Sequence, residues 1–261
     1  MDNCPDISLI LPAYNEVNSI ARTIGEVQQY FASRKLAYEI VVSADGNDGT
    51  RELVSELAAQ EPRIQVMGQP ERLGKGRGIR QAVAIATGSV IGFADADNKV
   101  PIEELDKLRP FFDEGYDIVI GSRALASSRI ERKQPLYRRL GSAGFAIFLH
   151  TIIGLSNVPD TQCGFKFFKR HVAKDLFRRQ KIDGYMFDVE ILALAQRLSY
   201  SLKQVPIRWH DDGDSRLELL RGNIRNVRDI FRIRQAVADG MRSEVAVPEP
   251  SVDSAKAGEI N

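Results

Sequence analysis

The sequence predicts an α/β protein whose core is a doubly wound, mainly parallel sheet. Short apolar segments with little charge alternate with longer segments of helical periodicity through the first half of the chain. Such alternation is typical of parallel strands joined by helices. The apolar segments are continuous rather than alternating, as expected for strands covered on both faces. Polar and charged residues follow these segments directly, at the edge where open α/β sheets bind ligands.

The first half of the chain contains five predicted strands and four predicted helices. The strands cover residues 7–11, 39–42, 64–67, 90–94 and 117–120. The helices cover residues 16–31, 48–59, 78–87 and 101–112. Apolar residues at helical spacing from Val17 to Phe31 indicate the first helix, an Asp or Thr cap the second, and a proline near its start the fourth.

The second half of the chain has a less regular pattern. Residues 165–168 and 202–207 are predicted strands, and residues 187–198 a predicted helix. Residues 135–155 form a predicted helix with a basic start, which suits a core helix as well as one that faces a membrane. Residues 217–237 form a final helix whose arginines fit a solvated face or anionic headgroups. From residue 243 the composition predicts a disordered tail.

Composition restricts the class of protein. The 261 residues are 43% hydrophobic and 27% charged, as in ordinary globular proteins, and the net charge of +1 argues against a bulk nucleic-acid binder. Two cysteines are too few for a disulfide framework or a metal cluster and favour a reducing compartment. We recognise no secretory signal and no apolar run long enough to span a bilayer, so any association with a membrane is expected to be peripheral.

The pair Asp95 and Asp97 follows the predicted strand at residues 90–94. Two carboxylates two residues apart at the end of a buried strand supply hard oxygen donors for Mg²⁺ or Mn²⁺, and either ion can bind a diphosphate. Surface turns also produce this spacing, so the pair taken alone is equally compatible with a solvated turn.

Glycines surround Lys75 just before the predicted helix at residues 78–87. Free backbone N–H groups at a helix N-terminus and the lysine charge together suit an anion, although simple turn chemistry produces the same pattern. The segment lacks the leading glycine and the Ser or Thr of a Walker A loop. It also follows the third strand rather than the first, which argues against a dinucleotide fingerprint.

Four segments form an ordered set: residues 11–16 (Leu-Pro-Ala-Tyr-Asn-Glu), 45–50 (Asp-Gly-Asn-Asp-Gly-Thr), 74–76 (Gly-Lys-Gly) and 95–97 (Asp-Ala-Asp). This set resembles the signature of family 2 glycosyltransferases, which have the Rossmann-like GT-A fold and use nucleotide-diphosphate sugars. Residues 121–123, 138–142, 160–166 and 187–190 are similar to the dolichyl-phosphate glucosyltransferase and mannosyltransferase branch. The glucosyl members are the closer match, and the resemblance covers residues 7–210.

The resemblance implies one glycosyltransferase domain at residues 1–242, with a nucleotide-sugar half at 7–120, an acceptor and membrane-facing half at 121–242, and a tail at 243–261. The implied nucleotide-sugar-binding residues are Pro12, Ala13, Tyr14, Asn15, Glu16, Asp45, Lys75 and Asp95. Within this set Asp45 matches the acid that contacts base or ribose. Asp97 matches the main ligand for Mg²⁺ or Mn²⁺, and Asp95 matches the carboxylate on the nucleotide side.

On the acceptor side, Arg123, Arg139 and Ser142 match groups that the mannosyl relatives place around the acceptor phosphate, and Arg138 adds a guanidinium. A phosphomonoester is already ionised near neutrality and can attack without a general base. For a hydroxyl acceptor, Asp188 or Glu190 is the candidate base. One-sided attack would invert the anomeric carbon.

Two departures from the family pattern bear on the donor. The turn after the second strand, residues 43–47, is one residue shorter than usual, which leaves uridine and guanosine both open. Lys99 stands where the mannosyl relatives carry a glutamine that helps to hold the metal. We hypothesise that the Lys99 ammonium stabilises the leaving diphosphate directly, which would make Lys99 a catalytic residue with Asp95, Asp97 and Asp188.

The expected function is inverting transfer of a hexose, glucose rather than mannose, from UDP-glucose or GDP-mannose to a polyprenyl phosphate, with Mg²⁺ or Mn²⁺. A soluble phosphorylated or saccharide acceptor is the alternative. We expect a cytoplasmic protein held peripherally at the cytosolic face of a membrane, where anionic lipid is a possible partner. Two other classes of protein fit the sequence less well. A sugar nucleotidyltransferase would need a glycine-rich, arginine-containing loop directly after the first strand, where residues 12–16 are Pro-Ala-Tyr-Asn-Glu. A catalytically silent, nucleotide-binding scaffold would have no chemical need for both Asp95 and Asp97, which are present.

Overall fold

The structure, a computed structural model, describes residues 4–130, 151–155, 157–210 and 228–235. Its strands are β1 Ile7–Tyr14, β2 Tyr38–Asp45, β3 Ile64–Met67, β4 Val90–Ala94, β5 Ile118–Ser122, β6 Arg129–Ile130, β7 Phe165–Lys169, β8 Leu202–Pro206 and β9 Arg208–Trp209. Its helices are α1 Ile20–Ser33, α2 Thr50–Gln60, α3 Lys75–Ile85, α4 Leu105–Leu108, α5 Pro110–Asp113, α6 Arg170–Arg179 and α7 Phe187–Arg197, with a 3₁₀ turn at Ile102–Glu104. Residues 151–153 and 228–235 are also helical.

Seven strands form one sheet in the order β3-β2-β1-β4-β7-β5-β8, and β6 pairs with β9 in a small second sheet. The pairs β1–β2, β1–β4, β2–β3 and β5–β8 are parallel, whereas β7 runs antiparallel to both β4 and β5. The amino end of β7 therefore lies at the edge where the parallel strands have their carboxyl ends. This topology confirms the prediction of a mainly parallel, doubly wound sheet.

Both faces of the sheet are covered. In β1, Ile10 belongs to the apolar cluster that includes α3, α6 and α7, whereas Leu9 and Leu11 belong to the cluster that includes α1 and the segment at residues 102–108. All three side chains are fully buried. Burial on both faces explains why the strand sequences are continuously apolar.

Several predicted elements differ from the observed ones at their ends. Strands β1 and β2 extend past residues 11 and 42 to Tyr14 and Asp45, because the two strands stay paired up to that point. Helices α1 and α2 begin later than predicted, at Ile20 and Thr50, whereas α3 begins earlier, at Lys75.

The predicted helix at 101–112 is broken into the 3₁₀ turn, α4 and α5, because Pro110 has no backbone N–H to continue the hydrogen-bond ladder. Helix α6 was not predicted, since its sequence is rich in charge. Its buried residues nevertheless have helical spacing: Val172, Ala173, Leu176 and Phe177.

Three predicted regions fall mainly or wholly outside the described residues. They are most of the helix at 135–155, most of the helix at 217–237, and the tail at 243–261. Among the residues that the structure describes, none of the helices combines the length and apolar character needed to cross a bilayer.

Gly92 in β4 stands opposite Phe167 in β7, and a Cβ at Gly92 would overlap the buried Phe167 ring. We expect Gly92→Ala to lower the free energy of unfolding by about 1–3 kcal/mol, because the packed ring cannot move away. The measurement is urea unfolding. Gly25→Ala is the matched control: this position in α1 has open space around it, and the change should stabilise the fold by about 0.5–1 kcal/mol. Equal effects of the two substitutions would contradict the packing described for β4 and β7.

Candidate active site

The predicted donor residues converge on one edge of the sheet. Tyr14 and Asp45 end β1 and β2, Asp95 follows β4, and Lys75 is the first residue of α3. Arg123 follows β5 at the same edge. The topology thus places residues together that are more than one hundred positions apart in the sequence.

Asp95 is held by a lysine and by the backbone. Its Oδ1 lies 2.5 Å from the Nζ of Lys75, and its backbone N–H donates to the carbonyl oxygen of Gly164 at 3.2 Å. A Cβ at position 164 would overlap the Asp95 carboxylate, so this close approach requires glycine. Burial alone would lower the pKa of Lys75, but the carboxylates of Asp95 and Asp188 outweigh it and raise the pKa above its ordinary value. Lys75 is therefore a fixed positive charge beside Asp95.

Asp97 has a similar arrangement with Lys99. The Lys99 Nζ lies 3.0 Å from Asp97 Oδ2, and the backbone N–H of Lys99 donates to Oδ1 at 3.3 Å. Residues 95–98, which follow β4, form a turn that we call the acidic turn. It is anchored to α1, because the Thr23 hydroxyl donates to the Ala96 carbonyl oxygen at 2.8 Å. Asn98 adopts a positive φ of 54° and donates from its side chain to Glu26. The acidic turn is thus tied to neighbouring structure and is not a loose surface turn.

The acidic turn suits a divalent cation whose coordination is completed by phosphate oxygens of the substrate. Within the described ranges, no group of three or more His, Cys, Asp or Glu side chains is placed to hold a metal ion. One oxygen of each carboxylate pairs with a lysine, and Asp97 Oδ1 also accepts the Lys99 backbone N–H at 3.3 Å. A carboxylate oxygen has a second lone pair, which can bind a cation. A Mg²⁺-type ion commonly uses one or two carboxylates together with substrate phosphates and water. Asp97 and Asp95 would therefore hold such an ion together with a bound diphosphate.

Asp45 organises the loop between β3 and α3. Its two carboxylate oxygens accept the backbone N–H groups of Leu73 at 3.0 Å and Gln69 at 3.4 Å. The same loop places the Arg72 guanidinium 4.2 Å from the centre of the Tyr14 ring, which is about one-third exposed. Asp45 thus lies in the predicted region and shapes the wall beside Tyr14.

The ends of β1 and β2 are joined by hydrogen bonds. The backbone N–H of Glu16 donates to Thr50 Oγ1 at 2.9 Å, and the Glu16 carboxylate accepts from the Ser19 hydroxyl at 2.7 Å. Asn15 has a positive φ of 56° and lies against Gly46. Pro12 and Ala13 belong to β1 itself. The predicted nucleoside-binding segment at residues 12–16 is therefore held in place by β1 and by contacts with residues 46 and 50.

The two predicted candidate bases differ in their surroundings. Glu190 is buried and accepts the backbone N–H groups of Lys181 at 2.9 Å and Ile182 at 2.8 Å, so it supports the loop before α7. Asp188 accepts from Lys166, whose Nζ lies 2.6 Å from Asp188 Oδ1. Burial raises the pKa of Asp188 above its ordinary value, and the ammonium groups of Lys166 and Lys75 offset this rise only in part. The sequence did not single out Lys166 as the partner of Asp188, although Lys166 lies in the motif at residues 160–166.

Arg123 forms a bidentate pair with Asp160. Its Nε and Nη2 lie 2.9 and 2.8 Å from the two carboxylate oxygens, and its backbone N–H donates to the same side chain at 2.8 Å. The guanidinium carbon lies 5.6 Å from the centre of the Trp209 ring. Burial opposes ionisation of Asp160, but the hydrogen bonds and charge of Arg123 outweigh it and hold the pKa of Asp160 below its ordinary value. Sequence reasoning identified Arg123 but not this partner.

The other predicted acceptor residues, Arg138, Arg139 and Ser142, lie outside the described residues. Among the residues that the structure describes, Arg123 is therefore the one member of the predicted acceptor set, and Asp160 is its partner.

The sheet order and the acidic turn after β4 define the class: this is the GT-A fold of glycosyltransferases. A solved glucosyl-3-phosphoglycerate synthase from Mycobacterium tuberculosis, in complex with Mn²⁺, uridine diphosphate and phosphoglyceric acid, is similar with a TM-score of 0.62. The likeness covers 94% of this chain and 80% of that chain at 19% identity, which bears on the fold alone.

The chain belongs to glycosyl transferase family 2, whose model matches residues 8–177. A dolichyl-phosphate beta-glucosyltransferase from Trichomonas vaginalis is 33% identical over 238 residues, covering 87% of this chain and 70% of that protein. A dolichyl-phosphate beta-glucosyltransferase from Dictyostelium discoideum is 30% identical over 241 residues, covering 87% and 73%. The expectations of family and fold are confirmed.

The Arg123–Asp160 pair predicts an acid-sensitive contribution to stability. Because the folded-state pKa of Asp160 is lowered, its contribution is present above the ordinary aspartate pKa of about 4 and is lost as the pH falls through the folded-state value. At pH 7 we expect Asp160→Asn to lower the free energy of unfolding by about 1–3 kcal/mol, and this difference to shrink toward pH 3. Urea unfolding across this pH range measures both effects. The exposed Asp113→Asn is the control, and a difference for Asp160→Asn that does not change with pH would contradict the assignment.

Proposed function

We propose that this chain is an inverting glycosyltransferase that moves a hexose, glucose rather than mannose, from a nucleotide-diphosphate sugar to a polyprenyl phosphate. The observation that carries the proposal is the acidic turn at Asp95 and Asp97, flanked by the ammonium groups of Lys75 and Lys99. Relatives of at least 30% identity that are named dolichyl-phosphate beta-glucosyltransferases support the choice of sugar and acceptor.

The donor half acts on the leaving group. Cleavage of the sugar–phosphate bond places negative charge on the diphosphate, and groups that stabilise this charge lower the barrier. Lys75 and Lys99 supply two positive charges beside the acidic turn. A divalent cation held by Asp97 and Asp95 would supply further charge neutralisation to the same diphosphate. Tyr14 and the loop shaped by Asp45 would receive the nucleoside.

The surroundings of the two candidate bases favour a phosphate acceptor over a hydroxyl. Glu190 is engaged by two backbone N–H groups, and Asp188 by the Lys166 ammonium. A hydroxyl acceptor would require one of these carboxylates to take a proton, whereas a phosphomonoester is already ionised and requires only positioning. Arg123, which is paired with Asp160, would contribute to that positioning by exchanging the Asp160 carboxylate for the acceptor phosphate, with Arg138, Arg139 and Ser142 proposed beside it. Direct attack on the side opposite the diphosphate inverts the anomeric carbon.

A polyprenyl phosphate acceptor requires the protein to reach a membrane. We propose peripheral association at the cytosolic face of a membrane, with the phosphate at headgroup level and residues 143–150 toward the lipid. The end of the predicted segment faces the protein instead, because Leu155 is buried in the core and Ile152 and Ile153 pack against it. The arginines of the predicted helix at 217–237 would add attraction to anionic lipid.

Sugar transfer by the purified chain tests the proposed function. UDP-glucose and GDP-mannose are offered separately, with a short polyprenyl phosphate and Mg²⁺ or Mn²⁺, and the organic-extractable sugar is counted. We expect a lipid product from UDP-glucose, and a loss of about 10²–10³-fold in kcat/KM in Asp97→Asn, because a charge-stabilising group is removed. Asp113→Asn is the exposed control and should retain activity. Donor turnover without lipid product would contradict the acceptor and indicate a soluble phosphorylated or saccharide acceptor, and a larger product from GDP-mannose would contradict the sugar.

Lys99→Gln tests the direct action of the Lys99 ammonium. We expect kcat to fall about tenfold or more with little change in KM for the donor, because the positive charge matters most once the leaving group has become negative. Lys99→Arg keeps the charge and should retain more activity than Lys99→Gln. The measurement is steady-state kinetics over a titration of Mn²⁺, and unchanged kcat and unchanged metal dependence in Lys99→Gln would contradict the hypothesis.

A further inference from the structure

An ion pair is buried beneath the candidate active site. Lys166 in β7 is fully buried, and its Nζ lies 2.6 Å from Oδ1 of Asp188, which is 4% exposed. The ammonium also lies 5.5 Å from the centre of the Phe93 ring. Both charges are therefore removed from water and face apolar surroundings.

Stability alone does not account for this pair. Removing two charges from water costs several kcal/mol for each ion, and apolar replacements of similar volume are often neutral or stabilising. The chemistry derived above for a phosphate acceptor also does not use Lys166, and it assigns Asp188 no proton transfer. The contacts of the pair with the site indicate what else it does.

The pair reaches Asp95 by two routes. Along the backbone, Lys166 Nζ donates to the carbonyl oxygen of Cys163 at 2.5 Å, and the next residue, Gly164, accepts the backbone N–H of Asp95 and lies against its carboxylate. Through packing, the residues on either side of Lys75 lie against the chain where α7 begins: a Cβ at Gly76 would overlap Phe187, and a Cβ at Gly74 would overlap the Asp183 backbone. Lys75 in turn places its Nζ 2.5 Å from Asp95 Oδ1.

We propose that Lys166 and Asp188 are positioning residues for the donor site: they hold the Cys163–Gly164 backbone against Asp95 and the start of α7 against the residues that flank Lys75, so that Lys75 and Asp95 are aligned before the donor diphosphate binds. This inference rests on the proposed function. It assigns Asp188 a role through Lys75 rather than contact with the acceptor. A site that is aligned in advance does not have to reorganise when charge develops.

The alignment of Lys75 affects donor binding because Lys75 has to exchange its partner Asp95 for the diphosphate. A diphosphate that enters the site competes with Asp95 for the Lys75 ammonium. The start of α7 lies against Gly74 and Gly76 on either side of Lys75, so the backbone of Lys75 is held in place when its ammonium turns to the donor. Loss of the pair should therefore weaken donor binding more than acceptor binding.

The decisive variant removes both charges together. In Lys166→Met with Asp188→Leu, similar volumes are kept and no buried charge is left alone, so we expect a melting temperature no lower than that of the unchanged chain. UDP and GDP are titrated calorimetrically in the presence of Mn²⁺, without acceptor. We expect the dissociation constant of the preferred nucleotide to rise about tenfold or more, and KM for the donor to rise with it, while KM for the polyprenyl phosphate stays unchanged.

Two further variants keep the test sharp. Asp188→Asn keeps the shape of the side chain and removes its charge, so it reports on donor binding if the double variant does not fold; we expect a rise of about fivefold or more in the same dissociation constant. Glu39→Gln is the matched control, because Glu39 is buried and hydrogen-bonded to Ser8 and Thr87 at the opposite edge of the sheet. It should lower the melting temperature without changing nucleotide affinity.

The outcomes separate the inference from the proposed function. Folded variants that bind the nucleotide within twofold of the unchanged chain would overturn the positioning role while the proposed function stands. An unchanged chain that binds neither UDP nor GDP would overturn the proposed donor class. Weaker nucleotide binding at unchanged thermal stability would support the inference, since a purely structural pair would alter stability first.

Discussion

The pairing of β4 with the antiparallel strand β7 is the contact on which the candidate site depends. In this register Ala94 stands opposite Phe165, so the residue after β4 meets the residue before β7. Those two residues are Asp95 and Gly164, which share a backbone hydrogen bond. A parallel strand in the same place would bring its amino end to the far edge of the sheet. The reversal of β7 is therefore what brings residues 160–164 to the acidic turn.

Opposite charges at this edge of the sheet are matched to each other. Asp95 faces Lys75, Asp97 faces Lys99, Asp160 faces Arg123 and Asp188 faces Lys166. Such matching leaves neither a carboxylate nor a cation unpaired in a partly buried site, where an unpaired charge would be more costly still. Under the proposed function, an anionic donor or acceptor would bind by taking the place of a carboxylate that is already there. In this arrangement selectivity depends on how well a ligand replaces the internal partner.

Local pattern was sufficient for much of the fold and for placing the predicted donor residues at one edge of the sheet. Apolar runs located β1, β2 and β4, and the residues after them included Tyr14, Asp45 and Asp95, because the ends of parallel strands share one edge. The antiparallel orientation of β7 was not predictable in this way, because a run of apolar residues does not indicate whether a strand is parallel or antiparallel to its neighbours. Helix α6 was not predicted, because its many charged residues obscure the helical spacing of its four buried residues.

The partners of the functional side chains were the other part that escaped prediction. Lys166 and Asp188 lie in different segments, and so do Arg123 and Asp160, so no periodicity relates them. Each segment was quoted as a motif for its resemblance. Which side chain in one motif contacts which in another is decided by the packing of β7 between β4 and β5, and by the position of α7.

The place of β7 in the sheet also has a consequence for how the protein acquires its activity during synthesis. Strands β1 to β4 and their helices lie in the first hundred residues, so they are complete well before β7 emerges from the ribosome. Until then β4 has an open edge and Asp95 lacks the backbone of Gly164 beside it. The pairings of β7 join segments that are distant in sequence, and such pairings form late and slowly. The proposed donor site is therefore complete only when β7 has paired with β4, and a nascent chain that ends before β7 does not yet have it.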